Sequence, residues 1–164
     1  MFQSSLYRIV NSTADIENAI ETAIEQMTAA SNRLIFIVRK KTDIITSKTI
    51  ENICVNLGIQ RINVGLHLSE FLMEHDVNQA ETMLKEKIRE NSEAKLLDNI
   101  EILFDDQMGI SPFLLLNDLA RHNTIICTID AFINDAGALV YGKRSFGANS
   151  NSYIIDMRGD NNEI

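Results

Sequence analysis

Leu34-Ile35-Phe36-Ile37-Val38-Arg39-Lys40-Lys41-Thr42-Asp43 is the stretch on which the fold turns. Its first half is a continuous apolar run without alternation, the pattern of a strand buried on both faces of a parallel sheet. Its second half is polar and reads as the loop at the carboxyl end of that strand. A helix is expected next, from about Ser47 to Leu57, with Gly58 as its C′ residue. Upstream, Asn11-Ser12-Thr13 offers helix caps, and Ile16, Ile20, Ile24 and Met27 share one helical face opposite Glu17, Glu21 and Glu25. That predicts an amphipathic helix within residues 1–30, ending near Ala30. Downstream, Ile62-Asn63-Val64-Gly65-Leu66 reads as a second strand, and Ser69 to His75 and Val77 to Asn91 read as helical. Lys95-Leu96-Leu97-Asp98-Asn99 begins a third strand. Ser111-Pro112 is a helix start, proline fitting the first helical position, and that helix runs towards Arg121. Thr124 to Thr128 is a fourth strand. Ala138 to Tyr141 and Tyr153 to Ile155 read as two closing strands within residues 138–157, joined by the Gly-, Ser- and Asn-rich loop Gly142 to Ser152.

Helices alternating with buried strands predict a single α/β domain over residues 1–164, with a mainly parallel central sheet and helices on both faces. One proline and seven glycines are too few for an all-β sandwich, and 45% hydrophobic residues suffice for a core. The net charge of −8 argues against strong direct DNA binding. No apolar run of about 18 residues exists to cross a bilayer, and Met1 to Val10 lacks the apolar core of a secretory signal. With Cys54 and Cys127 in apolar surroundings, a cytoplasmic protein with buried thiols is expected.

Ligands of open parallel sheets bind beyond the carboxyl ends of the strands, which directs attention past Val38, Leu97 and Cys127. A phosphate-binding loop, G-x-x-x-x-G-K-[ST], sits between a strand and a helix. Its glycines turn backbone N–H groups inward, its lysine neutralises phosphate and its hydroxyl holds Mg²⁺. Thr42 to Thr49 is the nearest match: Lys48 and Thr49 fit, while Thr42 and Ser47 stand at the glycine positions. A second register begins at Arg39 and places Ile45 and Thr46 at the lysine and hydroxyl positions. Thr46, Ser47, Lys48 and Thr49 are therefore the nucleotide-binding candidates. Asp98, at the end of an apolar run, has the position of a Walker B acid that orders Mg²⁺, making Thr49 and Asp98 the metal candidates. Glu101 follows it by three. Thr128, or Asp130, ends the next strand where a polar sensor of the γ-phosphate would stand. Arg39, Lys40 and Lys41 form a basic loop. Arg121 is a candidate arginine finger to a neighbouring subunit, and Lys143 and Arg144 lie in the closing loop. His67, His75 and His122 show no ligand spacing with the cysteines.

The segments Arg33 to Val38, Ile62 to Leu66, Leu96 to Phe104, Asn123 to Thr128 and Ser152 to Asp156 resemble, in order, the BrxF family. These are small P-loop proteins of type 3 bacteriophage exclusion (BREX) systems. The run Asp98 to Phe104 is the most specific part. The resemblance implies a P-loop NTPase-like fold, ATP and Mg²⁺ as cofactors, and a role in bacterial defence against phage. It also implies other phage-defence proteins as partners, including methyltransferase and helicase or ATPase components. Homo-oligomerisation stays open. On that resemblance Asp98 matches the Walker B acid and Thr128 lies on the sensor strand. The Walker A segment departs from it at both glycines. The expected function is thus a BrxF-like protein with weak or absent nucleotide binding that acts through partner contacts. An active ATPase with a divergent phosphate loop and a ligand-free adaptor are the alternatives.

Overall fold

The computed structural model describes residues 6–9, 15–40, 42–146 and 152–158. A six-stranded sheet runs through its centre, built from β1 (Leu6–Ile9), β2 (Leu34–Val38), β3 (Gln60–Asn63), β4 (Lys95–Asp98), β5 (Ile125–Ile129) and β9 (Tyr153–Asp156). The order across it is β1-β9-β2-β5-β4-β3, and every pairing is parallel. A second, antiparallel sheet of three short strands, β6 (Phe132–Ile133), β7 (Leu139–Tyr141) and β8 (Arg144–Phe146), hangs between β5 and β9.

Alternation along the central strands divides the core in two. Leu34, Phe36, Val38, Leu97, Ile125 and Cys127 enter one cluster with α3 (Val64–Leu72), α4 (Ala80–Ile88) and α5 (Pro112–Leu119). Ile35, Ile37, Leu96, Ile126 and Ile155 enter the other with α1 (Ile16–Met27) and α2 (Ile44–Leu57). The protein is therefore a three-layer α/β fold, in which burial on both faces makes the β2 run uniformly apolar. Phe36 anchors the first layer, edge-on to Phe113 of α5 at 6.1 Å and to Phe146 of β8 at 5.5 Å.

Several boundaries differ from the sequence reading. Leu6–Ile9 adds an edge strand ahead of the first helix, and the capping segment Asn11-Ser12-Thr13 lies outside the described residues. Helix α2 starts at Ile44, three residues before the expected Ser47, because Asp43 is its N-cap. Val64, Gly65 and Leu66 are helical rather than extended: Asn63 Oδ1 accepts from the Leu66 N–H at 3.0 Å and turns the chain into α3. Val77–Gln79 is a 3₁₀ turn, and α4 ends at Ile88 instead of reaching Asn91. The two closing strands belong to different sheets, since Leu139–Tyr141 joins the small one and Tyr153–Asp156 inserts between β1 and β2. Gly58 holds the expected left-handed C-cap, at φ 69°. Among the described residues no helix is long and apolar enough to cross a membrane.

Candidate functional site

Strand β2 leaves the sheet towards α2 on one face, whereas its neighbour β5 leaves towards the small sheet on the other. Such a reversal opens a crevice at the carboxyl edge. Arg39, Asn99, Glu101, Thr128, Ile129 and Asp130 line the space there, and Arg39, Ser47, Ile50, Arg61 and Asp98 line a second one beneath α2. The residues after Val38 and the carboxylate of Asp98 thus meet at one rim of the sheet.

The loop after β2 is five residues long, Arg39 to Asp43, with Lys41 outside the described residues. Asp43 N–H donates to Lys40 O at 3.0 Å, closing a turn. None of the described loop residues has positive φ, so the loop lacks the left-handed steps that glycine permits in a phosphate cradle. Asp43 Oδ1 accepts from the Thr46 N–H at 3.1 Å and Oδ2 accepts from the Thr46 hydroxyl. Ser47 Oγ donates to Asp43 O at 3.2 Å. A carboxylate therefore occupies the positive end of the helix dipole, where a phosphate would sit.

This geometry distinguishes the two registers. Thr46 and Ser47 stand in the first turn of α2, while Lys48 and Thr49 stand in the second, past the strand–helix turn. The register beginning at Arg39 spans that turn and carries Ile44 and Ile45 where the second glycine and lysine belong. Lys48 is exposed, about 100° around the helix from Ser47.

Asp98 ends β4 and is only 5% exposed. Its Oδ1 accepts from Thr128 Oγ1 at 2.5 Å, joining the Walker B and sensor candidates directly. Its Oδ2 accepts from Arg61 Nε at 2.9 Å and also from Nη2. Arg61 lies on β3 with its side chain 42% exposed, and its Nη1 is 3.7 Å from Glu51 of α2. Burial works against the Arg61 charge, but the hydrogen bond and charge of Asp98, with Glu51, outweigh it and hold the guanidinium pKa above its ordinary value. Burial pushes the Cys54 thiol up to about 11, against the opposing pull of Arg61. It also raises the Cys127 pKa, with Asp98 adding to the effect. Both cysteines are buried free thiols.

Asn99 follows Asp98 in the left-handed region, at φ 54°. It donates from Nδ2 to Asn63 Oδ1 at 3.0 Å. Gly65 lies so close that an added Cβ would come within 3.2 Å of Asn99 Cβ and 3.3 Å of its carbonyl oxygen. An open cleft of about 460 Å³ lies beside this contact, lined by Asn63, Leu66, Ser69 and Ile102 among others.

Other candidates sit elsewhere. Arg121 follows α5 at the amino edge of the sheet, the end opposite Asp98. Arg144 approaches Asp106 at 3.5 Å, and Lys143 lines the small space beside it. Among the described residues no group of three or more His, Cys, Asp or Glu is placed to hold a metal ion. The sequence reading missed Arg61 and the capping role of Asp43. A charged residue on a strand with both faces covered was the available signal for Arg61, because such a charge requires a partner.

ATP and Mg²⁺, the cofactors the motif implies, do not fit this arrangement. The space bounded by Arg39, Ser47, Ile50, Arg61 and Asp98 is about 10 Å³, room for about one water molecule. Arg61 engages the acid that would order the metal, and Asp43 engages the hydroxyl and N–H of Thr46. The chain matches no family model, and no curated protein matches it.

Proposed function

We propose that the chain is a P-loop-type protein that has lost nucleotide chemistry and works by contacting partner proteins, in the manner its resemblance to BrxF implies for a phage-defence system. One observation carries the reading: the strand holding the phosphate-loop candidate and the strand holding Asp98 flank β5, with its sensor candidate Thr128, and all three end at the start of α2. Setting the edge strand β1 aside, the sheet order is fifth, first, fourth, third, second. This supports a P-loop NTPase-like ancestry. The capping of α2 by Asp43 and the pairing of Asp98 with Arg61 favour loss of binding over a working ATPase.

Exposed apolar side chains favour partner contact. Ile44 is 80% exposed, and Leu66 and Phe132 are also exposed; these residues open the connections after β2, β3 and β5 at one edge of the sheet. Exposed apolar groups gathered on one side are a common mark of a protein interface.

Calorimetric titration with ATP and ADP in the presence of Mg²⁺ tests the loss of binding, and no saturable heat is expected. Micromolar affinity with turnover dependent on Lys48 would overturn the reading in favour of an active ATPase. The defence role predicts that the gene stands beside methyltransferase and helicase or ATPase genes. A neighbourhood without them removes that assignment.

A further inference from the structure

The geometry points to Arg61 as a resident cation that takes the place of a divalent metal at Asp98, and to a latent divalent-ion site between Asp98 and Glu51 that its guanidinium keeps closed. This deepens the nucleotide-fold reading and rests on it only for the comparison with Mg²⁺. The charge argument stands on the residues alone.

A carboxylate buried as deeply as Asp98 needs a compensating positive charge or strong donors. Arg61 supplies both, directing two N–H groups onto Oδ2 while Thr128 donates to Oδ1. Nothing is left for a metal to neutralise. Arg39 lines the same space, and its Nε is buried with no hydrogen-bond partner, so an arriving dication would meet two guanidinium groups. Mg²⁺ also retains several waters when it binds, and the roughly one-water space beneath α2 has no room for them.

The arrangement around Arg61 gives the second half of the inference. Its guanidinium lies between two carboxylates: Asp98, to which it hydrogen-bonds, and Glu51, whose Oε2 is 3.7 Å from Nη1. Shortening residue 61 to alanine removes the cation and leaves both carboxylates facing the vacated volume. Two carboxylates with room for water are a sufficient donor set for a hard divalent ion.

Mn²⁺ is the probe, because its free form is counted directly by electron paramagnetic resonance. Wild-type protein should leave the free Mn²⁺ signal unchanged, and its Tm should not respond to MnCl₂. Arg61→Ala should melt lower than wild type in EDTA, then bind Mn²⁺ at least about tenfold more tightly than wild type and recover Tm as the ion is added. Arg61→Gln, which keeps donors but not the charge, should also bind Mn²⁺. Arg61→Lys, which restores a positive charge, should stay silent. Adding Asp98→Asn to Arg61→Ala should abolish the binding.

Two results overturn the proposal: Mn²⁺ binding by wild type that disappears in Asp98→Asn, or absence of any Mn²⁺ response in both Arg61→Ala and Arg61→Gln, including failure of either to regain a cooperative melt with the ion. No nucleotide enters these measurements. ATP binding by the wild type would defeat the proposed function and leave the Arg61 assignment untouched.

Discussion

Replacing Asp98 with alanine should weaken the fold. The carboxylate is 5% exposed and accepts from Arg61 Nε at 2.9 Å, from Arg61 Nη2, and from Thr128 Oγ1 at 2.5 Å. Removing one partner of a buried ion pair costs about 3–5 kcal/mol, chiefly because the remaining charge is stranded. Arg61 keeps 42% of its side chain exposed, so water takes up part of that charge. Thr128 loses its acceptor within a buried site, and the net cost is about 2–3 kcal/mol. With a urea slope of about 2 kcal/mol/M, the unfolding midpoint should fall by about 1–1.5 M at unchanged slope. A catalytic acid held ready for a metal behaves in the opposite sense: in EDTA it is an uncompensated buried charge, and deleting it relieves the fold. A midpoint that stays in place or rises would therefore refute the pairing as the reason Asp98 is buried.

Three further outcomes follow from the structure. Gly58→Ala should destabilise by about 1–2 kcal/mol through backbone strain alone, since Gly58 sits at φ 69° with nothing within 4 Å of an added Cβ; thermal unfolding measures it. Asp118 bridges α4 and α5 with Arg89 at 2.9 Å and Lys85 at 3.2 Å, and the Lys85 hydrogen bond leads in lowering its pKa from 3.8. Its stabilisation is therefore complete above the unfolded pKa and is lost as pH falls through the lower folded value. Asp118→Asn should cost less than about 1 kcal/mol at neutral pH, with the difference vanishing in acid melts. Lys95 is fully buried at the start of β4, its Nζ donating to Gln60 Oε1 at 2.9 Å, and burial lowers its pKa from 10.5. Between the folded value and 10.5 the unfolded chain binds the extra proton, so stability rises with pH across that window. The Tm of wild type relative to Lys95→Met should climb accordingly, and a difference that shrinks on raising pH would exclude this protonation coupling.

What the sequence made legible was local. The β2 run reads as a buried strand because both of its faces meet helices, and Gly58 and Pro112 mark helix boundaries through backbone chemistry that needs no tertiary context. Asp98 and Thr128 were singled out as strand-end residues, and the fold brings them into one hydrogen bond. The omissions have physical causes. Val64-Gly65-Leu66 is apolar enough to pass for strand, and only the Asn63 cap and the close approach of Asn99 to Gly65 turn it into helix. Leu6–Ile9 is an edge strand of four residues, too short to show a period. Arg61 meets Asp98 across 37 positions of chain, a pairing created by the β3–β4 register and invisible to any local pattern. Asp43 was read as one member of a degenerate motif, whereas its carboxylate fills the place the motif reserves for phosphate.

Crystals grown with Mg²⁺ and a non-hydrolysable ATP analogue test the closed site most directly. The expected density has Asp43 on the Thr46 N–H, Arg61 on Asp98, and neither nucleotide nor metal at the head of α2. Triphosphate wrapped by residues 39–46, with Mg²⁺ on Asp98 and Arg61 swung away, would contradict the account at its centre.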